Sequence, residues 1–403
     1  MKRIIKSKLL IFIALASVAL QGFYLKPMVA YANARQTTDL AEQLTNEVDN
    51  QLTKIDFSEI EILVSEIENN TNPIVSIDNL TETIKTLVSG DSVIEYENVL
   101  GVLFNSVLSC VKKYIPLMLF IMATTIACSL LGKLKNKNNE KTLNDITNFV
   151  CMTVVIVAIG SCLKNLIATT SHTINSIKSQ MSAVFPILLT LTTAIGSAKS
   201  VGLYKPAVAL LSTGVAELFA SFVLPLFILS VVFIFVGNLS NSIKLDKING
   251  FISSLFKWVV GVTFTIFFAI ISIQGISANS FDGISIRTAK FTLRSYVPIM
   301  GGYLSEGFDL ILSSSLLIKN GVGMIGIIML ISTILNPILE IAIFSLILKF
   351  ACAIMQPLAD GKVVKMLDGV SKSLNILNTV IIVLAFMYFL MVGMIMSTAS
   401  GLI

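Results

Sequence analysis

The chain has 403 residues, 55% of them hydrophobic and 13% charged, with a mean hydropathy of +0.85 and a formal net charge of +5. A soluble domain carries about 25% charged residues, so this composition excludes an ordinary soluble enzyme. Several apolar stretches reach the ~20 residues a helix needs to cross ~30 Å of hydrocarbon. Lipid cannot satisfy open backbone groups, so such stretches must be helical. The expected fold class is all-α: a polytopic transmembrane helical bundle preceded by a small helical extracytoplasmic domain.

In chain order, MKRIIKSKLLIFIALASVALQGFYL puts Lys2, Arg3, Lys6 and Lys8 ahead of an apolar run, and Ala30-Tyr31-Ala32-Asn33-Ala34 offers small-residue cleavage sites. That is the pattern of a secretory signal peptide over 1–34. The alternative is an uncleaved anchor helix, and either one sends residue 35 onward outside the cytoplasm. Residues 35–99 carry 14 acids against three bases. Leu40, Leu44, Val48, Leu52 and Ile55 recur at helical spacing, as do Ile60, Leu63, Val64 and Ile67. Further amphipathic turns run through Leu80, Ile84 and Leu87 to a stop at Gly90. A segment of 35–112 with one apolar and one acidic face buries little by itself. It reads either as a solvated helical hairpin or as an interaction surface.

The first two spans, about Tyr114–Leu131 and Ile146–Leu163, fall within 113–168. The basic loop KLKNKNNEKTLN between them belongs in the cytoplasm. Residues 164–182 read as a polar connector holding the sole histidine, His172, which is expected to be solvent-exposed. From residue 183 the chain repeats itself. Val184-Phe185-Pro186-Ile187-Leu188 resembles Tyr296-Val297-Pro298-Ile299-Met300, and the same offset carries Leu224-Pro225-Leu226 onto Asn336-Pro337-Ile338. Lys244-Leu-Asp-Lys247 resembles Lys362-Val-Val-Lys365, followed by Gly250 or Gly369 and a closing apolar span. The units are 183–276 and 295–397. Equal sidedness of the two basic loops requires a parallel repeat, and four crossings per unit would fit. An inverted repeat with fewer spans is the alternative, because Arg287, Lys290 and Arg294 fall outside in the parallel scheme.

No catalytic constellation emerges. There is no phosphate-binding loop and no HExxH. One histidine cannot build a His-based metal site, and Ser has no partner for a triad. Cys110, Cys128, Cys151, Cys162 and Cys352 form no CxxC pair. No cofactor and no nucleic-acid partner are expected, and the lipid bilayer is. What remains are ionisable groups in apolar runs: Glu217 in LLSTGVAELFASF and Glu340 in ILNPILEIAIF, with Glu306 and Asp309 in a less apolar stretch. A carboxylate at membrane depth is costly and faces protein or a water-filled cavity. The readings are a solute or proton pathway, a protonated Glu held by a neighbouring helix, or a span end displaced toward water. Pro225 and Pro337 interrupt the helical hydrogen-bond ladder. Either they mark broken helices around a midplane site, or each marks a tight turn between two shorter spans. The turn is the favoured expectation, since 206–240 is too long for one ordinary span.

The signal, the acidic domain, the KLK-type first loop, the Pro-centred spans, Tyr204-Lys205-Pro206, Gln356-Pro357-Leu358-Ala359-Asp360 and the segment LADGKVVKMLDGVSKSL together resemble the stage III sporulation protein AE family. The resemblance covers essentially the whole chain and rests on architecture, not on a catalytic motif. It implies a non-enzymatic membrane subunit of the channel complex between mother cell and forespore in endospore-forming Firmicutes. Its implied partners are the other stage III A proteins, an ATPase and ring-forming subunits among them, and through these a forespore-side protein. It transfers no functional residues. A self-contained secondary transporter using the intramembrane carboxylates is the alternative.

Overall fold

The computed structural model describes residues 36–70, 77, 79–90, 96–133, 140–239, 245–296, 301–357 and 361–398. The signal peptide expected over 1–34 lies outside the described residues. Among the described residues three short helices, α1 (Gln36–Leu52), α2 (Ser58–Asn70) and α3 (Leu80–Ser89), precede six long ones. These are α4 (Tyr96–Lys133), α5 (Glu140–Ala194), α6 (Ala198–Leu239), α7 (Asp246–Tyr296), α8 (Gly301–Met355) and α9 (Gly361–Ser397). Each of the six contains a stretch long and apolar enough to cross a membrane. No strand occurs among the described residues.

The short helices have local causes. Ser58 donates its hydroxyl and its amide to Asp56 at the start of α2, which holds the Asp56 carboxyl below its ordinary range. Asn79 caps α3 by accepting the Glu82 amide, and Gly90 ends it at φ 84°, where a side chain would be strained. These helices do not stand apart from the membrane body. Val48, Leu52, Ile60 and Ile84 are buried in one continuous core with α5, α8 and α9. Ile84 packs on Gly321, where an added Cβ would come within 3.0 Å of it. Gln51 donates to Ser314 and accepts from Ser315, each at 2.8 Å. The apolar face of the acidic segment is therefore covered by the chain's own α8, in the half of that helix remote from Met355.

Helices consecutive in the chain run antiparallel, as their contacts record. In the α8–α9 hairpin, Ser345 and Ser371 donate to each other's backbone carbonyls at 3.1 and 3.0 Å. Further along, Gly326 sits under Tyr388 and Gly323 under Met396. Gln180 of α5 donates to Thr333 of α8 at 2.6 Å. Tyr204 and Ser230 of α6 meet Thr398, just beyond α9, and Ser373 of α9. Small hydroxyl residues and glycines thus form the helix seams, as expected where lipid offers no hydrophobic drive between helices.

Three expectations fail here. Residues 164–182 are no connector: they are the middle of α5, with Leu166, Thr170, Thr173, Ile174 and Ile177 buried at helical spacing. Neither Pro225 nor Pro337 sits in a turn between two spans. In α6 the π-helical turns Leu210–Val215 and Phe219–Val223 precede Pro225 and loosen the ladder before the proline, and the helix runs on to Leu239. Pro337 lies inside the 55-residue α8. The four crossings expected per unit are not found: 183–276 holds the last turns of α5, then α6 and most of α7, and 295–397 holds α8 and α9.

Candidate functional site

The polar groups of the long helices fall into separate clusters. Glu340, one turn past Pro337, projects from α8 toward α4. There Lys113 Nζ (2.5 Å) and Tyr114 Oη (2.7 Å) both donate to its Oε1. The Tyr114 ring packs on Phe344 at 4.8 Å, so the phenol is fixed by the core. Glu340 is 14% exposed and Lys113 55%, which makes this a carboxylate satisfied from one side and shielded on the other. Charge-assisted bonds of this kind are stronger than neutral ones, and the arrangement ties α4 to α8.

Glu217 is placed differently. Its two oxygens accept from Lys178 of α5 (3.2 Å) and from Ser221 (2.6 Å). It is 59% exposed and Lys178 37%, so the pair faces away from the core. The donors hold the Glu217 carboxylate on the outside of the α5–α6 pair. Glu306 is exposed, and Asp309 is half-buried and engaged. Pro225 is exposed and Pro337 buried. The Thr333 hydroxyl that accepts from Gln180 lies one turn before Pro337, where the proline removes a backbone donor. The structure assigns Glu217 and Glu340 to different clusters, on different helix pairs. No group of three or more His, Cys, Asp or Glu side chains suited to a metal occurs among the described residues.

One residue escapes the sequence reading. Lys319 of α8 is fully buried, and its ammonium donates to the backbone carbonyl of Thr398 just beyond α9. The Thr398 hydroxyl bonds Tyr204 of α6 at 2.8 Å, so three helices converge on this point. A lysine suits the carbonyl end of a helix, where the macrodipole is negative. The signal was available: Lys319 interrupts the apolar run LLIKNGVGMIGIIML, and the rule that singles out Glu217 applies to it equally.

Six long helices pack around an α8–α9 hairpin, and this is the frame that the comparisons with known proteins address. The family model for stage III sporulation protein AE matches residues 78–399, a span that takes in α3 through α9. The chain belongs to the stage III sporulation protein AE family. The stage III sporulation protein AE of Bacillus subtilis (strain 168) is 27% identical over 372 residues, which cover 92% of this chain and 93% of that one. No solved structure matches. As a stage III sporulation protein AE family member the chain has a role in sporulation, and its six apolar helices make it a multi-pass helical membrane protein.

Proposed function

We propose that this protein is an integral membrane subunit of a channel or secretion complex that connects mother cell and forespore, and that its work there is non-enzymatic. The observation that carries the reading is family membership over 78–399 together with the direction of the helices. Because consecutive long helices are antiparallel, the α4–α5, α6–α7 and α8–α9 connections lie at one end. All three are basic, with Lys133 and Lys141, Lys244 and Lys247, and Lys362 and Lys365. By the positive-inside rule that end is cytoplasmic. The acidic α1–α3 then lie outside, against the far half of α8. In the mother-cell membrane around the forespore that side is the intermembrane space. Its partners would be the other stage III A proteins, the ATPase and ring-forming subunits among them, and through these the forespore-side protein.

The apolar face of α1–α3 is already occupied, so a partner would meet the exposed acidic face of α2, which carries Glu59, Glu61 and Glu66 beside a bare Ile62. A photo-crosslinker at Glu61 or Ile62 is expected to capture another stage III protein in sporulating cells. Recovery of the uncrosslinked chain alone would count against the complex.

The alternative, a self-contained secondary transporter, draws on Glu340, whose carboxylate is shielded and held by two donors. The complex reading expects Glu340→Gln to keep sporulation near the wild-type level, since Lys113 and Tyr114 can still donate to the amide oxygen. Loss of sporulation with normal amounts of folded protein would favour the transporter.

A further inference from the structure

Heights along the bundle can be compared through a chain of contacts. Val184 of α5 touches Gly326 of α8, and Gly326 lies beneath the Tyr388 hydroxyl of α9. Phe386, half a turn before Tyr388, stacks on Phe264 of α7 at 5.9 Å. Residues 180–184, 326–333, 386–388 and 264 therefore share one level. Lys178 lies half a turn from Gln180, which puts the Lys178–Glu217 ion pair at the same level.

What the molecule shows to its surroundings at that level depends on the side. On α7 the exposed residues at that level are Gly261, Val262, Thr265, Ile266, Phe268 and Ala269, none of them charged and the Thr265 hydroxyl spent on the Gly261 carbonyl, with Ile273 above and Trp258 and Lys257 below. On α5 they are His172, Asn175, Ser179 and Ser182, and on α6 Thr213 and Glu217. Glu66 of α2 stands 3.7 Å from His172, so the acidic helices border the same polar face. α7 packs on α6, α8 and α9, and α1–α3 pack on α8 and α5. The apolar and polar faces thus belong to different flanks of the bundle.

Both flanks cannot face hydrocarbon. A carboxylate or ammonium at membrane depth is costly and normally faces protein or water. Glu217 lies within the apolar run of α6, yet it points outward with its lysine. We propose that the α5–α6 flank carrying Lys178 and Glu217 lines a water-filled space in the assembled complex, while α7 at the same height faces lipid. The occupant of the polar flank is water, and the walls opposite it belong to other subunits. The Lys178–Glu217 pair is the charged lining that a passing solute meets. The inference rests on the channel-complex reading, because a chain alone in lipid has nothing to close that space.

The test is thiol accessibility at matched heights in the full-length protein, with the native cysteines replaced. Cysteines are placed at Asn175, Ser179 and Thr213 on the polar flank, and at Val262 and Ile266 on α7. A membrane-impermeant maleimide is applied to right-side-out vesicles from sporulating cells. Labelling in detergent confirms that each thiol is present and free. The expected result is labelling at 175, 179 and 213 to the level of a cysteine at Glu61, with 262 and 266 unlabelled until detergent is added. Protection of 175, 179 and 213 together with 262 and 266 overturns the proposal, as does labelling of both flanks alike. The same assay in cells lacking the other stage III proteins separates the two readings. If 179 and 213 lose their labelling there, the partners close the aqueous space. If they keep it, the wet flank stands on this chain and the channel-complex reading loses its support.

Discussion

Helices α7 and α9 close the two stretches proposed as duplicates, and both are long and apolar with a basic KxxK segment at the start. Their surroundings are unlike. Half of the most apolar stretch of α9 is buried, against 22% in α7. Trp258 of α7 is 65% exposed, whereas Leu374, Leu377, Leu384 and Tyr388 of α9 are fully buried. The lesson is that hydropathy reports solvent class and not position. An apolar helix at the centre of a bundle and one on its rim carry similar residues, because lipid and protein interior are equally apolar. Their seams tell them apart, since α9 meets glycines and hydroxyls on several helices while one face of α7 is left bare.

The contrast makes graded predictions for thermal unfolding of the purified protein in detergent. Leu384→Ala should cost most, about 2–5 kcal/mol, because it opens a cavity with no lipid to fill it. Val262→Ala, the matching truncation on α7, should stay within about 0.5 kcal/mol. Equal losses at both sites would erase the distinction between core and rim. Gly326→Ala should follow. Its new methyl carbon would stand 2.9 Å from Tyr388 Oη and 3.1 Å from Val184 Cγ1, both on fully buried residues, so the seam must widen. Overpacking of that kind costs about 1–3 kcal/mol. Ser371→Ala is the finest probe. It removes one of the two reciprocal hydroxyl–carbonyl bonds with Ser345, for which an interhelical bond in a membrane protein suggests about 0.6 kcal/mol. A loss well above that would mean the pair sets the register of the hairpin.

Much of the frame was legible beforehand. Composition and the runs of apolar residues declare a helical, multi-pass membrane protein, and Gly90 marks the end of α3. Continuity was harder to read. Asn165, Thr169, Ser171 and His172 look like a connector when counted as polar residues. They are the outward face of an amphipathic stretch whose inward face is Leu166, Thr170, Ile174 and Ile177. The prolines misled for a related reason. A proline breaks a helix in water, but here neighbouring helices and π-helical turns accommodate it, and no local pattern announces that. The clusters depend on contacts between distant segments. Glu340 meets Lys113 across 227 residues and Gln51 meets Ser315 across 264, pairings that a periodicity cannot reveal. Glu217 and Glu340 were both visible as costly charges, but which of them was sheltered was decided by tertiary packing.

The pairing of Lys319 with Thr398 bears on how the protein is made. Seventy-nine residues separate the lysine from the carbonyl that receives it. At a synthesis rate of about 5–20 residues per second, Lys319 leaves the ribosome some ~4–16 s before its acceptor exists. During that interval α8 carries a bare ammonium next to the apolar stretch that follows it, Val322–Leu330. It must be kept wet, or held by the insertion machinery, until α9 arrives to quench it. The seam between α8 and α9 is then the last to close, and a nascent chain stalled before α9 would present Lys319 as an open mark of incompleteness.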